Sequence, residues 1–362
     1  MIRSVRRGGA ALGATLLAVL VTAAPARADA ERDKQWYAAP MKLAQARELG
    51  HGGAGVIVAV IDTGVDHDHQ DLRGALVPGR NMTLDVPEEG IDPEGHGTGM
   101  AALIAGRGHG SGDGLLGVAP RSRVMPITPI NDALMVSRGI KWAVDHGAKV
   151  INMSFELNDD RVIQSAVNDA VKADVVVIGG VGNDHGPVAE PAILDNVLGV
   201  GAVDRNNKVT DFSNFGPGVD LVAPGVQIPA ARPGNRYELR KGTSDASALV
   251  SGAAALIRAR YPDMSAAEVI DRLTRTADDR GAKGRNDNYG YGQLDVVAAL
   301  TAPRVPVKAA TTAPPVVDTP VSSAPLPAAR MGIPPLLIVG AGLLLLVVAF
   351  ASFMIIRVRR NT

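Results

Sequence analysis

Short runs of consecutive apolar residues, rich in β-branched side chains, alternate with helix-like segments through the middle of this chain. Runs of this kind are typical of strands that are buried on both faces of a sheet. Their alternation with helices indicates parallel strands joined by helical crossovers. The predicted strands are residues 56–61, 150–153, 175–178 and 197–203, and the predicted helices are 133–145, 161–172, 246–260 and 265–276. The sequence therefore predicts an α/β fold, a doubly wound, mainly parallel sheet flanked by helices.

Three polar side chains stand at the ends of these elements. Asp62 follows the first apolar run, His96 lies between two glycines before an apolar segment, and Ser244 precedes the third predicted helix. Singly, each has a structural explanation as a cap or a loop residue. Together they match a division of labour, because a serine hydroxyl needs an imidazole base and a carboxylate orients that imidazole. Doubly wound sheets bind ligands at the carboxyl ends of their strands, where we look for this chemistry.

The segments around these residues resemble those of the subtilisin-like serine proteases, the subtilases. They are IDTGVD from residue 61, GHGTGMAALIAG from residue 95 and GTSDAS from residue 242. The resemblance covers about residues 52–300, the predicted peptidase domain. It implies that Asp62 is the orienting acid, His96 the general base and acid, and Ser244 the nucleophile.

The resemblance also implies an oxyanion donor and a substrate cleft. Asn183 stands in a Gly-Asn pair similar to that of the family, which implies that its amide stabilises the oxyanion; a turn residue is the other interpretation. Glu156 stands where the family usually has glycine, so that its side chain either narrows the cleft or favours a basic substrate residue. The residues expected along the substrate are Ser154, Phe155, Glu156, Gly180 and Gly182.

A carboxylate, Asp245, follows the predicted nucleophile directly, where the family usually has Met or another uncharged residue. If it points inward, its charge opposes the oxyanion. The alternatives are that it stabilises the helix N-terminus or faces solvent.

His and Asp residues also cluster at 66–71, which has the composition of a metal site. The order His69-Gln70-Asp71-Leu72 resembles a structural His-Pro-Asp-Leu turn of the subtilases, and this explanation is favoured. Many subtilases bind calcium, but no Asp-rich loop here has the spacing of calcium ligands. With 0 Cys, the chain has no disulfide and no Cys-based metal site. We therefore predict no metal and no cofactor.

The N-terminus has the pattern of an export signal. Arg3, Arg6 and Arg7 precede an uncharged apolar run at residues 8–24, and small-residue cleavage sites follow it. This pattern predicts a secretory signal peptide over residues 1–30, followed by an N-terminal extension at 31–51. A permanent anchor and twin-arginine export are the alternatives.

The C-terminus has the pattern of a membrane anchor. Residues 333–356 are uncharged and apolar, and at ~1.5 Å per residue they span ~36 Å, enough for a ~30 Å hydrocarbon core. The basic tail at 357–362 is therefore predicted to be cytoplasmic, and the preceding domain extracellular. A Pro/Ala-rich linker at 301–332 separates the domain from the predicted span. A buried core helix is the alternative for 333–356.

Charge is distributed in agreement with these signals. The chain has 37 basic and 37 acidic residues, but the first 28 and last 32 residues hold basic groups and no acid. The part between them has a balance of −7. No basic excess indicates a nucleic-acid partner.

The short N-terminal extension, the C-terminal span and the Ala/Gly/Arg-rich composition resemble the mycosins, membrane-anchored subtilases associated with type VII secretion systems. This resemblance implies a membrane-anchored extracytoplasmic serine endopeptidase that processes secreted or cell-surface proteins. The implied partners are a protein or peptide substrate, the membrane, and membrane proteins of a secretion complex. The alternative is a mainly structural subunit that stabilises such a complex and has little catalytic role.

Overall fold

The four predicted strands form neighbouring parts of one sheet. The structure is a computed structural model that describes residues 30–110, 112–128, 132–157 and 160–305. The strands are β1 (Ile57–Ile61), β2 (Arg80–Asn81), β3 (Val86–Pro87), β4 (Arg107–His109), β5 (Asp113–Leu116), β6 (Arg123–Thr128), β7 (Val150–Met153), β8 (Val176–Gly180), β9 (Leu198–Val203), β10 (Leu221–Pro224), β11 (Val226–Arg232) and β12 (Arg236–Lys241). The helices are α1 (Ala30–Asp33), α2 (Leu43–Leu49), α3 (His96–Ala105), α4 (Ala133–Asp145), α5 (Asp160–Lys172), α6 (Thr243–Arg260), α7 (Ala266–Arg275) and α8 (Val296–Thr301), with short 3₁₀-helices at His51–Gly53 and Gln70–Leu72.

The main sheet has eight strands in the order β10-β9-β8-β7-β1-β6-β2-β3. All neighbouring strands in it pair in parallel except β2 and β3, which are antiparallel at one edge. The order reverses around β1, so the chain winds outward in both directions from this central strand. The predicted doubly wound, mainly parallel sheet is confirmed.

Helices cover both faces of the sheet, and the side chains of β1 show why its sequence is apolar at every position. Val58 and Val60 belong to the core beneath α3 and α6, whereas Ala59 and Ile61 belong to the core beneath α4 and α5. Because successive side chains of a strand point to opposite faces, β1 presents apolar residues to both helical layers.

β6 lies in the centre of the sheet although it contains Pro126, a residue that argues against a central strand. The pairing explains why the proline is tolerated. Arg123 donates its backbone N–H to Val56 on the β1 side, and Val124 donates to Ala75 on the other side. By this alternation the nitrogen of Pro126 faces away from β1, so the missing N–H removes no bond of the β1 ladder.

The residues predicted as an N-terminal extension fold onto the same unit as the rest of the described chain. Tyr37, Met41 and Leu43 are buried in the core that contains α6 and α8. Side chains from this segment also bind the main chain of β5: Arg32 donates to Asp113 and Gly114, and Gln35 donates to Leu116. Residues 31–51 are therefore an integral layer of the domain.

The predicted signal peptide, membrane span and cytoplasmic tail lie outside the described residues, apart from residue 30, as does the linker after residue 305. Within the described ranges, no helix combines the length and the apolar character that crossing a membrane requires.

Candidate active site

Asp62 occupies the carboxyl end of β1, at the edge where doubly wound sheets bind their ligands. Its side chain is 1% exposed. One carboxylate oxygen, Oδ1, accepts the N–H of Thr63 at 2.8 Å and lies 2.7 Å from His96 Nδ1. A carboxylate at this distance holds the proton on Nδ1, so that the opposite ring nitrogen, Nε2, is left as the basic atom.

His96 is the first residue of α3, and two glycines fix its position. Gly95 has a φ of 75°, the left-handed conformation that favours glycine. At Gly97, a Cβ atom would lie 2.1 Å from the carbonyl oxygen of Gly64, so a side chain there would push α3 away from Asp62. The glycines of the GHG segment therefore allow the backbones to approach, which brings the imidazole to the carboxylate.

A second carboxylate, Asp92, anchors the start of α3. Because Gly95 has no side chain to cap the helix, Asp92 accepts the backbone N–H of Gly95 and of Thr98, both at 2.8 Å. Asp92 also accepts the hydroxyl of Thr63 at 2.7 Å, and this hydroxyl accepts the N–H of Gly97 at 3.1 Å. Asp92 and Thr63 thus tie the loop of Asp62 to the helix of His96.

Ser244 is the second residue of α6 and lies at the carboxyl end of β7, the strand next to β1. Its hydroxyl donates to the carbonyl oxygen of Ser154 at 3.2 Å. None of the hydrogen bonds in the described part of the chain joins the Ser244 hydroxyl to His96. A turn of this side chain would therefore precede proton transfer to the imidazole.

A chain of polar side chains fastens the start of α6 to β7. Ser247 Oγ lies 2.9 Å from Ser154 Oγ and donates to the Ser244 carbonyl at 2.9 Å. Asn152 donates to Ser154 Oγ at 2.8 Å and accepts the Ser251 hydroxyl at 2.9 Å. These buried bonds fix the position of the Ser244 backbone relative to the end of the strand.

Asn183 follows β8 and has a defined amide orientation. Its Oδ1 accepts the backbone N–H of Thr243 at 2.9 Å. Since a backbone N–H can only donate, the atom that faces it must be the oxygen, and the Nδ2 donor points elsewhere. Asn183 and Ser244 line the same cavity, so a donor and a hydroxyl are both available to one substrate carbonyl.

That cavity has a volume of about 150 Å³, and every residue predicted to bind substrate lies in its wall. It is lined by Ser154, Phe155, Glu156, Gly180, Gly182, Asn183, Thr243 and Ser244. The structure therefore brings the predicted oxyanion donor, nucleophile and substrate residues together at one end of β7 and β8.

Comparison with known proteins identifies the family. Residues 53–292 match the family described as Peptidase_S8, Subtilase family. Subtilisin DY of Bacillus licheniformis is 35% identical over 275 residues, which cover 73% of this chain and 97% of the relative. The chain belongs to the subtilase family. Subtilisin Savinase of Lederbergia lenta is 34% identical over 274 residues, with the same coverage of 73% and 97%.

Solved structures agree with this assignment. The crystal structure of MycP1 with the N-terminal propeptide removed has a TM-score of 0.68 and 30% identity, over 75% of this chain and 98% of that chain. The crystal structure of a lanthipeptide protease has a TM-score of 0.67 and 27% identity, over 75% and 95% of the two chains. The predictions of a subtilisin-like serine protease and of similarity to the mycosins are confirmed.

The subtilase carries a buried carboxylate directly after Ser244. Asp245 is 0% exposed, so the interpretation that it faces solvent is wrong. Its Oδ1 lies 3.3 Å from Nε of Arg240 on β12, and neither of its oxygens accepts a hydrogen bond from a described residue. Asp245 therefore does not cap α6; it forms an ion pair with the hairpin β11–β12, which packs against α3.

The charges around His96 act on its basicity in opposite directions. Burial lowers the pKa of His96, but the charge and hydrogen bond of Asp62 outweigh burial and the pKa is raised. Asp245 raises it further, whereas Arg240 lowers it. Burial also raises the pKa of Asp245 to about 6, although Arg240 and His96 both act to lower it. Asp245 thus influences His96 through its charge.

The cluster at 66–71 forms structural contacts. Asp71 accepts the backbone N–H of Leu115 and the hydroxyl of Tyr237, and it pairs with His109 at 2.7 Å. Among the described residues, no group of three or more His, Asp or Glu side chains has an arrangement that would hold a metal ion.

Sequence reasoning misses Thr63, Asp92, Ser247 and Arg240. The position of Asp92 carries a signal, because it is an acidic residue shortly before a helix whose cap residue is glycine. Arg240 has no such signal, since it reaches Asp245 only through the pairing of β11 with β12.

Proposed function

We propose that Asp62, His96 and Ser244 form the catalytic triad of this subtilase and that Asn183 donates to the oxyanion. The observation that carries the proposal is the 2.7 Å contact between His96 Nδ1 and the buried carboxylate of Asp62. Asp62 follows β1, the strand next to β7, and therefore lies at the same edge of the sheet as Ser244.

The geometry supports peptide hydrolysis in two steps. The Ser244 hydroxyl first breaks its hydrogen bond to the Ser154 carbonyl and turns toward His96. It then gives its proton to His96 Nε2 while its oxygen attacks the substrate carbonyl carbon. The negative oxygen that forms takes a hydrogen bond from Asn183 Nδ2, and buried Asp62 stabilises the imidazolium. His96 then protonates the leaving amine, and the acyl-enzyme forms. Water, deprotonated by His96, hydrolyses that ester and restores Ser244.

We propose further that the enzyme is a single-pass protein of the cell membrane with its catalytic domain outside the cytoplasm. The apolar run at 333–356 and the basic residues after it support this orientation. The resemblance to mycosins supports a place in type VII secretion, where the substrate is a secreted or cell-surface protein. In such a complex the folded domain would also have a structural role.

Labelling by a fluorophosphonate probe tests the proposed chemistry. The full chain is expected to be labelled at Ser244, mapped by mass spectrometry of the labelled peptide, and Ser244→Ala is expected to abolish labelling. A folded chain that is never labelled would show that the triad assignment is wrong. In cells, Ser244→Ala that leaves secretion intact, while deletion of the gene abolishes it, would assign the secretion role to the folded domain instead of to cleavage.

The pH profile tests the influence of Asp245. Asp245→Asn removes a negative charge that raises the pKa of His96, so this pKa is expected to fall. His96 accepts a proton only when neutral, so the acidic limb of kcat/KM should move to lower pH. Asp145→Asn, at an exposed carboxylate on α4, is the control and should not move the limb. A shift of the Asp245→Asn limb to higher pH, or no shift, would contradict the assignment.

A further inference from the structure

The cavity beside Ser244 has a single charged wall. Eight described residues line it, and Glu156 is the only one of them with an ionisable side chain. The others offer hydroxyls, an amide, glycine backbone and Phe155, which is largely buried in the core beneath α4 and α5. The cavity is thus lined mainly by polar groups and carries one carboxylate.

The two glycines in the wall keep this space open. At Gly180, a Cβ atom would lie 3.0 Å from Thr243 Oγ1, and at Gly182, which has a φ of 107°, it would lie 2.2 Å from Asn214 Nδ2. Neither position accommodates a side chain without movement of its neighbours. The shape of the cavity therefore depends on bare backbone, and Glu156 determines its charge.

The carboxylate of Glu156 is available to a ligand. Glu156 follows β7 in an exposed loop, and it forms no hydrogen bond or ion pair with any other residue that the structure describes. No basic side chain lines the cavity. A cation entering beside Ser244 would therefore meet an uncompensated negative charge at the cavity mouth.

The position of the cavity determines which substrate residue enters it. When a substrate carbonyl is held between Ser244 Oγ and Asn183 Nδ2, the side chain of the same substrate residue lies beside these two groups. The cavity opens at this position. A lysine or arginine stem is apolar and its head is charged. It would lie along the glycine backbone of the cavity with its head at Glu156.

We propose that Glu156 makes this subtilase select a lysine or arginine at P1, the substrate residue whose carbonyl is attacked. The inference rests on the proposed function of Ser244 and Asn183. An exposed ion pair gives a gain of less than about 1 kcal/mol, so the expected preference is about threefold. Salt should reduce it, because exposed charges are screened.

Three internally quenched peptides, identical except for lysine, norleucine or glutamate at P1, test this preference with the full chain. The quantity compared is the ratio of kcat/KM between peptides for one enzyme, which cancels differences in the active fraction. The wild type should prefer lysine to norleucine by about threefold, Glu156→Gln should abolish the preference, and Glu156→Lys should favour the glutamate peptide. Asp145→Asn is the matched control and should keep the wild-type ratio.

The outcomes separate the two proposals. Norleucine cleavage that is lost in Ser244→Ala supports the protease assignment whatever the ratio is. A wild type that does not prefer lysine, or a preference that persists in Glu156→Gln, would overturn the role of Glu156 alone. If no peptide is cleaved, the labelling rates of peptidyl phosphonates with lysine-like or norleucine side chains give the same ratio. Failure of both phosphonates to label would overturn the proposed function and this inference together.

Discussion

Asp62→Asn is expected to lower kcat for peptide cleavage by more than about tenfold, but by less than the ~10⁴-fold loss that follows when the imidazole also takes the wrong tautomer. The structure indicates which property of Asp62 is lost. Thr63 donates its N–H to Oδ1, and the same oxygen faces His96, so the amide oxygen of an asparagine would remain there. The imidazole keeps its acceptor and its tautomer, but the imidazolium formed during the reaction loses its negative partner.

Two further measurements distinguish charge from orientation. Asp62→Ala removes the acceptor as well as the charge, so its kcat should be lower still than that of Asp62→Asn. Because Asp62 raises the pKa of His96, the acidic limb of the residual activity in Asp62→Asn should lie at lower pH than in the wild type. A kcat within tenfold of the wild type, from a variant with unchanged thermal unfolding, would show that Asp62 is not the orienting acid.

Asn183→Asp is expected to lower kcat by at least about 10²–10³-fold, the loss that follows removal of an oxyanion donor. An aspartate retains an oxygen for the N–H of Thr243, so the start of α6 keeps its contact. It replaces the Nδ2 donor with a second, negative oxygen that repels the oxyanion. KM should change little, since the oxyanion forms only on the path to the acyl-enzyme.

Asn183→Ala provides the structural comparison. It removes the donor and also leaves the Thr243 N–H without its side-chain acceptor, which costs about 1 kcal/mol of folding free energy. The temperature of thermal unfolding should therefore be lower in Asn183→Ala and nearly unchanged in Asn183→Asp. If Asn183→Asp retained wild-type kcat, Asn183 would be a turn residue whose role is limited to holding α6.

The sequence predicts the elements that have a clear apolar pattern. β7 and α4 have the predicted bounds, and the bounds of β1, β8 and β9 differ from the prediction by one or two residues. The strands are nearly continuous apolar runs, and α4 has buried apolar residues at helical spacing. β6 is not predicted, because Pro126 argues against a strand at this position. Only the register shows that the proline nitrogen faces away from β1. The β11–β12 hairpin is also not predicted, because β12 is mostly charged and partly exposed and β11 contains Pro229.

The same contrast holds for the site. Asp62, His96 and Ser244 are found because each stands in a short segment with a chemical pattern of its own. The burial of Asp245 is not evident from its sequence neighbours, since its partner Arg240 reaches it from a separate hairpin. Exposure of Glu156 and the bare walls of its cavity likewise depend on contacts between distant segments.

The layer formed by residues 31–51 has a consequence for the order of folding. α2 packs against α6 and α8, so a segment that emerges early in the synthesis of the domain borders its last described helix. Contacts of such large sequence separation form late and slowly. The core cannot close until Thr301 has emerged, and a partly emerged chain exposes the apolar faces of β1 and α2 to chaperones and to other proteases. A protease of this fold is thus itself open to cleavage for most of its own synthesis.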